Sequence, residues 1–472
     1  MDMKKILLIL ISCTFFLSGC NKWLDVDLAD KVTDEKLFST AQGYQEALAG
    51  VYSAMADSAM YGAKLTMEET DLLAQYYSYD GVSTNYENFK NYNYPEARSQ
   101  TRILESWKNL YAAIAGANNI IAWATKDTKV LSPDLKDQVL GEAYAMRGYL
   151  HLDLIRLFCP DVKRLPKATG IPYNLHFGVA LPPMYTVEEA VQLVVNDLRD
   201  AEKFLAKDPI TTVKPYLMAN KNEADKYVAR LNYYGVKALL ARVSLMRGDK
   251  VSAVKYATEV VESGAFKLLD FASIDKSDKE VDMLFSDEHI FSLRKKPLSD
   301  YSISLHYQLV DERGGTTPAK LPFANLSQIY ENNNDDIRYI KWFSTTNRSF
   351  VKFNIDNKDK FFPKMPMIKL SEMYLILAEC HLGSDDQKAY HYINTLRDHR
   401  IRNNSHWSYL TMDYIMQEMR REFVGEGQLW YAYKRLNLGI PTSNGIIGTV
   451  PPSEQVFVFP IPLKEMETGN RN

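Results

Sequence analysis

The chain has 472 residues and a formal net charge of −3, so it carries no bulk electrostatic case for nucleic acid. With 46% hydrophobic and 24% charged residues, its composition is that of a folded protein with a large core, not of a disordered or fibrous one. Its four cysteines show no CxxC spacing, which points to neither a disulfide framework nor a zinc site.

The first element in chain order is a short apolar run. Lys4 and Lys5 precede it, and residues 6–17 are apolar except for Ser12 and Thr14. Such a run is too short for a bilayer, which takes roughly 20 apolar residues. A charged start, a short apolar centre and small residues before a cut site describe a secretory signal. Leu17-Ser18-Gly19-Cys20 resembles a bacterial lipobox. That resemblance implies a signal peptide over 1–19, cleavage before Cys20 and lipidation of the Cys20 thiol. The alternative is an ordinary signal with a chance cysteine. Each buried methylene of an acyl chain contributes about 0.8 kcal/mol, so several chains on Cys20 would anchor the protein without spanning the membrane. Asp25 and Asp27 follow closely; such acids resemble the signal that sends lipoproteins to the cell surface, or form a plain solvated tether. Of the remaining cysteines, Cys13 leaves with the signal. Cys159 and Cys380 lie in apolar surroundings and read as buried free thiols.

The body reads as helical. Residues 41–55 and 103–124 have helical periodicity. In 142–158, Ala143, Met146, Leu150, Leu154 and Leu157 make one apolar stripe at three- and four-residue steps. Residues 234–264 read as helix, a Gly248-Asp249 turn, then helix, with Ala238, Ala241, Ala253 and Ala257 allowing close approach. Residues 367–400 repeat the form around Gly383-Ser384. These units resemble tetratricopeptide helix pairs with a loose consensus. The predicted fold is mostly α: helix pairs forming an irregular solenoid scaffold, with long loop excursions and little sheet. Residues 20–472 are expected to form a single domain. Residues 76–98, dense in tyrosine and without helical period, and 270–350 are the long excursions. Loops of such length in a compact protein are usually functional or disordered, and the tyrosine content of the first argues against disorder.

Taken together these segments resemble the SusD/RagB family. The resemblance rests on the stretch after Cys20 (Phe38, Ala47, Gly50, Tyr52 in step), SWKNLYAAIAGANNII at 106–121, KLSEMYLILAE at 369–379, and EQVFVFPIPLKE at 454–465. RREFVGEGQLWYAYKR at 420–435 fits the family's C-terminal helix at Arg421, Glu422, Glu426, Gly427 and Trp430. It departs at Leu429 and Ala432, where many members have Arg and Asp. The departure puts a close match to starch-binding members in doubt. The resemblance implies an outer-membrane, surface-exposed lipoprotein with a tetratricopeptide-like scaffold. It would bind a nutrient, often a glycan, and pass it to a SusC-type TonB-dependent transporter, with the arm after Cys20 docking on that transporter.

No GxSxG, HExxH, Walker or GxGxxG motif occurs, and no catalytic residue, cofactor or metal site is predicted. Residues 332–336 read as a polar turn rather than a calcium loop, since the ligand spacing is absent. The acid pairs Glu68-Glu69, Asp335-Asp336 and Asp385-Asp386 read as solvated turns. Glu372 and Glu379, seven apart on one helix face, read as structural hydrogen-bond partners.

Ligand binding is assigned to the aromatic excursions. A sugar offers apolar C–H faces to rings and hydroxyls to Asp, Asn and Arg. Tyr76, Tyr77, Tyr79, Asp80, Asn85 and Tyr86 supply both types close together. The resemblance adds Tyr301, Tyr307 and Arg313 from the second excursion. The competing reading is that these tyrosines pack the loop onto the scaffold. A peptide could use the same groups. A lipid-anchored surface hydrolase and a ligand-free assembly scaffold are the alternatives from other classes.

Overall fold

The structure, a computed structural model, describes residues 33–78, 84–126, 129–275, 281–306, 309–310, 316–317, 319–324, 326–344, 349–354, 362–442 and 448–468. Cys20, Tyr79, Asp80, Tyr307 and Arg313 lie outside the described residues. For Asn85 the backbone alone is described.

Eight long helices stack in chain order. α1 (Ala41–Met55) starts where Thr40 Oγ1 accepts the Gly43 N–H, and it buries Tyr44, Leu48, Val51 and Met55 on one stripe. α2 (Ala97–Lys126) buries Ile103, Trp107, Leu110, Ile114 and Ile121. α3 (Pro133–Phe158) is capped by Ser132 with proline in its first turn, and is buried almost all round from Val139 onward. α4 (Val187–Phe204) begins with a capping box between Thr186 and Glu189. α5 (Tyr233–Arg247) ends at Gly248, whose φ of 79° turns the chain into α6 (Lys250–Glu262). α7 (Leu370–His381) and α8 (Asp386–Asp398) form the last pair, with Asp385 capping α8. Each helix packs on the next, from α1 on α2 through α6 on α7 to α7 on α8, which makes the solenoid. α9 (Met412–Glu422) then folds back on α7, and α10 (Leu429–Leu436) packs on α9 and on the short helix Glu69–Leu73.

Sheet is confined to two-stranded pairs among the described residues. β1 (Thr169–Pro172) pairs antiparallel with β2 (Met184–Thr186), and β3 (His289–Arg294) with β4 (Lys364–Lys369). β4 is wholly buried and runs straight into α7. Residues 367–369 are therefore strand and not helix, because a buried strand and a buried helix share the same short apolar run. The excursions also hold more order than their sequence implies: Thr84–Lys90 is helical, and 270–350 contains β3 and the helix Leu298–His306. The buried apolar side chains join into one cluster running from Phe38 to Phe459. Cys159 and Cys380 are buried free thiols within it, and burial pushes both up to about 12.

Candidate functional site

The connection between α1 and α2 runs over 56–96 and contains most of the first excursion, read from the sequence as 76–98. It opens with a π-helical turn, Lys64–Glu68, followed by the helix Glu69–Leu73, both almost fully buried. Such depth demands partners for the polar groups. Glu69 is not a solvated turn residue as its sequence context suggests. Arg102 Nη1 of α2 lies 3.1 Å from its carboxylate and 3.0 Å from that of Glu68. Burial still pushes the Glu69 carboxyl up to about 7. Asp71 accepts two backbone N–H bonds, from Gly425 at 2.6 Å and Gly427 at 3.0 Å, in the loop between α9 and α10.

Tyr76 and Tyr77 come next and are fully buried. The Tyr76 hydroxyl donates to the Arg420 carbonyl at 2.7 Å, and its ring lies 5.3 Å from the Arg420 guanidinium. The Tyr77 hydroxyl donates to the Met67 carbonyl. Its ring stacks on His306 at 5.3 Å and meets the edge of Phe323 at 4.8 Å. Both side chains are used up in packing and have no surface to offer a ligand. Their assignment as ligand contacts is corrected: they hold the loop on the scaffold.

These two tyrosines nevertheless lie at a junction. Ser78 N–H donates to the Pro322 carbonyl at 2.7 Å, and Ala324 N–H donates to the Tyr76 carbonyl at 3.0 Å. Leu321 N–H closes on the Leu305 carbonyl at 2.8 Å, which ties in the helix Leu298–His306. The two tyrosine-bearing excursions, far apart in sequence, are thus stitched backbone to backbone. Tyr79 and Asp80 follow Ser78 directly in the chain, and Tyr307 follows His306. Tyr86 lies nearer the surface than Tyr76 and Tyr77; its hydroxyl donates to Glu68 at 3.0 Å and its ring lies 4.3 Å from the Arg102 guanidinium. Tyr301 is half-buried, with Lys295 Nζ 5.5 Å from its ring.

Behind the junction lies a buried ion cluster that the sequence does not announce. Arg400 binds Glu288, just before β3, at 2.6 Å and 2.8 Å, and Glu422 of α9 at 2.9 Å through both oxygens. Arg338 reaches Asp336, Glu418 and Glu422 at 2.7–3.0 Å. Lys369 and Lys352 close on Glu422 and Glu426. Asp336, read as a solvated turn residue, is therefore buried and paired, since it completes this cluster. Glu372 and Glu379 do serve as structural partners, to Arg242 and Arg435. Within the cluster, the surrounding arginines and Lys369 hold the Glu418 and Glu422 carboxyls below the usual carboxylate range. Among the described residues, no three or more His, Cys, Asp or Glu side chains gather as a metal site, and no helix is long and apolar enough to cross a membrane.

A helical solenoid whose inter-repeat excursions are drawn together on one junction is a scaffold that presents a face, and this defines the class. Residues 22–233 match a family described as starch-binding and associating with the outer membrane, and residues 309–467 match the SusD family. The chain belongs to the SusD/RagB family. A SusD-like protein of Formosa agariphila is 29% identical over 249 residues, which is 52% of this chain and 45% of that protein, so the match spans less than half the relative's length. Among solved structures, a SusD superfamily protein of Bacteroides thetaiotaomicron is similar with a TM-score of 0.72 and 21% identity, over 91% of this chain and 98% of that one. A SusD-like carbohydrate-binding protein of Bacteroides vulgatus gives 0.70 and 17%, covering 92% and 97%. The surface glycan-binding protein A of Bacteroides uniformis gives 0.67 and 16%, covering 91% and 98%. At these identities the likeness establishes the fold: a mostly helical, tetratricopeptide-like scaffold with little sheet.

Proposed function

We propose that this chain is a lipid-anchored, surface-exposed outer-membrane protein that binds an oligosaccharide and hands it to a SusC-type TonB-dependent transporter. The observation that carries the reading is the stitching of the two tyrosine-bearing excursions at Tyr76–Ser78 and Pro322–Ala324, within a chain of this family. That junction gathers polar and aromatic residues from both halves of the sequence. Tyr79, Asp80, Asn85, Tyr86, Tyr301, Tyr307 and Arg313 are the proposed ligand contacts, with Tyr76 and Tyr77 as their supports. Cys20 is the proposed site of the anchor. The glycan reading is also favoured by the names of the structural relatives from Bacteroides vulgatus and Bacteroides uniformis. No catalytic step is proposed, because the buried carboxylates described above are spent on arginine and lysine partners or, for Asp71, on backbone amides.

The test is a pull-down from native outer membrane with tagged, lipidated protein. A TonB-dependent barrel in near-equal amount is expected, and its absence in gentle detergent overturns the transporter assignment. Titration with oligosaccharides and peptides then identifies the ligand. Turnover of an oligosaccharide by the purified protein would place the chain among surface hydrolases instead.

A further inference from the structure

A cavity is walled by the ends of α3 and α5, by α7 and by the α9–α10 pair. Its volume is about 90 Å³. At 10–15 Å³ for each water-sized position, that is room for roughly six to nine non-hydrogen atoms. Leu245, Ile376, Met419, Phe423 and Tyr431 make most of the wall apolar. The Tyr431 ring is held in place by the Arg156 guanidinium, 3.9 Å from its centroid. Ala432 also faces the cavity, so a larger side chain there would occupy it.

The polar part of the wall is unbalanced. Arg156 is paired with Asp153, Arg242 with Glu372, and Arg435 with Glu379. Asp161, also on the wall, is matched by Arg164 at 3.8 Å. Lys434 is buried, and its ammonium donates to the Arg156 carbonyl at 2.5 Å. Among the described residues no carboxylate lies within ion-pair distance of it. Burial accordingly pushes its amine down to about 7, against the pull of Cys159, Glu454 and Asp161. A wall whose one buried amine lacks a counter-charge is completed by a single anion. Mostly apolar walls with a few convergent polar groups are the usual make-up of a small-molecule site.

We propose that this cavity is a second binding site, independent of the glycan face, for a small monocarboxylate with a flat or short apolar body. Benzoate is the probe that matches its size and charge, and benzamide is the neutral control of the same shape. Each is titrated into the full chain by calorimetry and by thermal unfolding, with wild type, Ala432→Phe and Lys434→Met compared. Saturable benzoate binding is expected, with benzamide at least about tenfold weaker, a loss of about tenfold in Lys434→Met, and no binding in Ala432→Phe. Far-UV circular dichroism checks that each variant is folded; if Ala432→Phe is not, the Lys434→Met comparison and the benzamide contrast decide. No saturable benzoate binding up to about 10 mM overturns the proposal, as does equal affinity for benzamide or unchanged binding in a folded Ala432→Phe. Oligosaccharide titration of the same variants is expected to match wild type, which separates this site from the proposed ligand face.

Discussion

Tyr77 spends its hydroxyl on the Met67 carbonyl and its ring on His306 and Phe323, so its substitution acts on stability. Tyr77→Phe should cost about 1 kcal/mol, and Tyr77→Ala about 3–5 kcal/mol, in denaturant unfolding. Tyr79→Ala and Tyr301→Ala should instead leave unfolding within about 1 kcal/mol of wild type and weaken oligosaccharide binding roughly tenfold in a titration. The neighbouring His306 gives a pH signature. Its Nδ1–H donates to the Leu321 carbonyl at 2.9 Å, its Nε2 has no partner, and burial pushes the ring down to about 4. Between that value and the ordinary 6.5 the unfolded chain binds the proton and the folded chain does not, so stability falls as pH falls through this window. Protonation of His306 should remove up to about 3 kcal/mol by pH 4, and His306→Phe should flatten that part of the profile measured by denaturant unfolding. The residue types needed for a ligand face were legible in the sequence. Depth was not: Tyr76 and Tyr77 read the same as Tyr79 until the chain brings Met67, Arg420 and Phe323 around them.

Elements differ in how much of their setting is local. α1 was readable because its period, its Thr40 cap and its end all lie within one stretch, and the turn between α5 and α6 because Gly248 marks it. β4 was not, because its partner β3 lies more than sixty residues upstream and its burial on both faces erases the strand alternation. α9 is held by the ion cluster through Glu418 and Glu422 as well as by its buried Ile415, Met416 and Met419. Glu422→Gln would leave Arg400, Arg338 and Lys369 short of one buried counter-charge. A loss of about 3–5 kcal/mol is expected in urea unfolding, with the slope of the transition unchanged.

On the scale of the whole molecule, the solenoid sets the order of the helix pairs and the excursions close it. The tightest closure is the clasp of Asp71 on the Gly425 and Gly427 amides. Both glycines have positive φ, 80° and 69°, and a Cβ on Gly427 would lie 2.4 Å from Thr70 Oγ1 and 2.6 Å from the Leu65 carbonyl. Gly427→Ala should therefore cost about 3 kcal/mol or more, and limited proteolysis should cut the first excursion faster than α5 or α6. The clasp spans 354 residues in one bond and 356 in the other. A chain leaves the ribosome amino end first, so the 64–78 segment is made long before its acceptors and donors at 322, 420, 425 and 427 exist. Until residues 420–427 have emerged, the Asp71 carboxylate and the Tyr76 hydroxyl lack these partners, and the first excursion stays open to proteases and to wrong pairings. The few residues just before α10 thus set when the first fifth of the chain can close, and a chain that ends before Gly425 leaves Asp71 without its two amide donors.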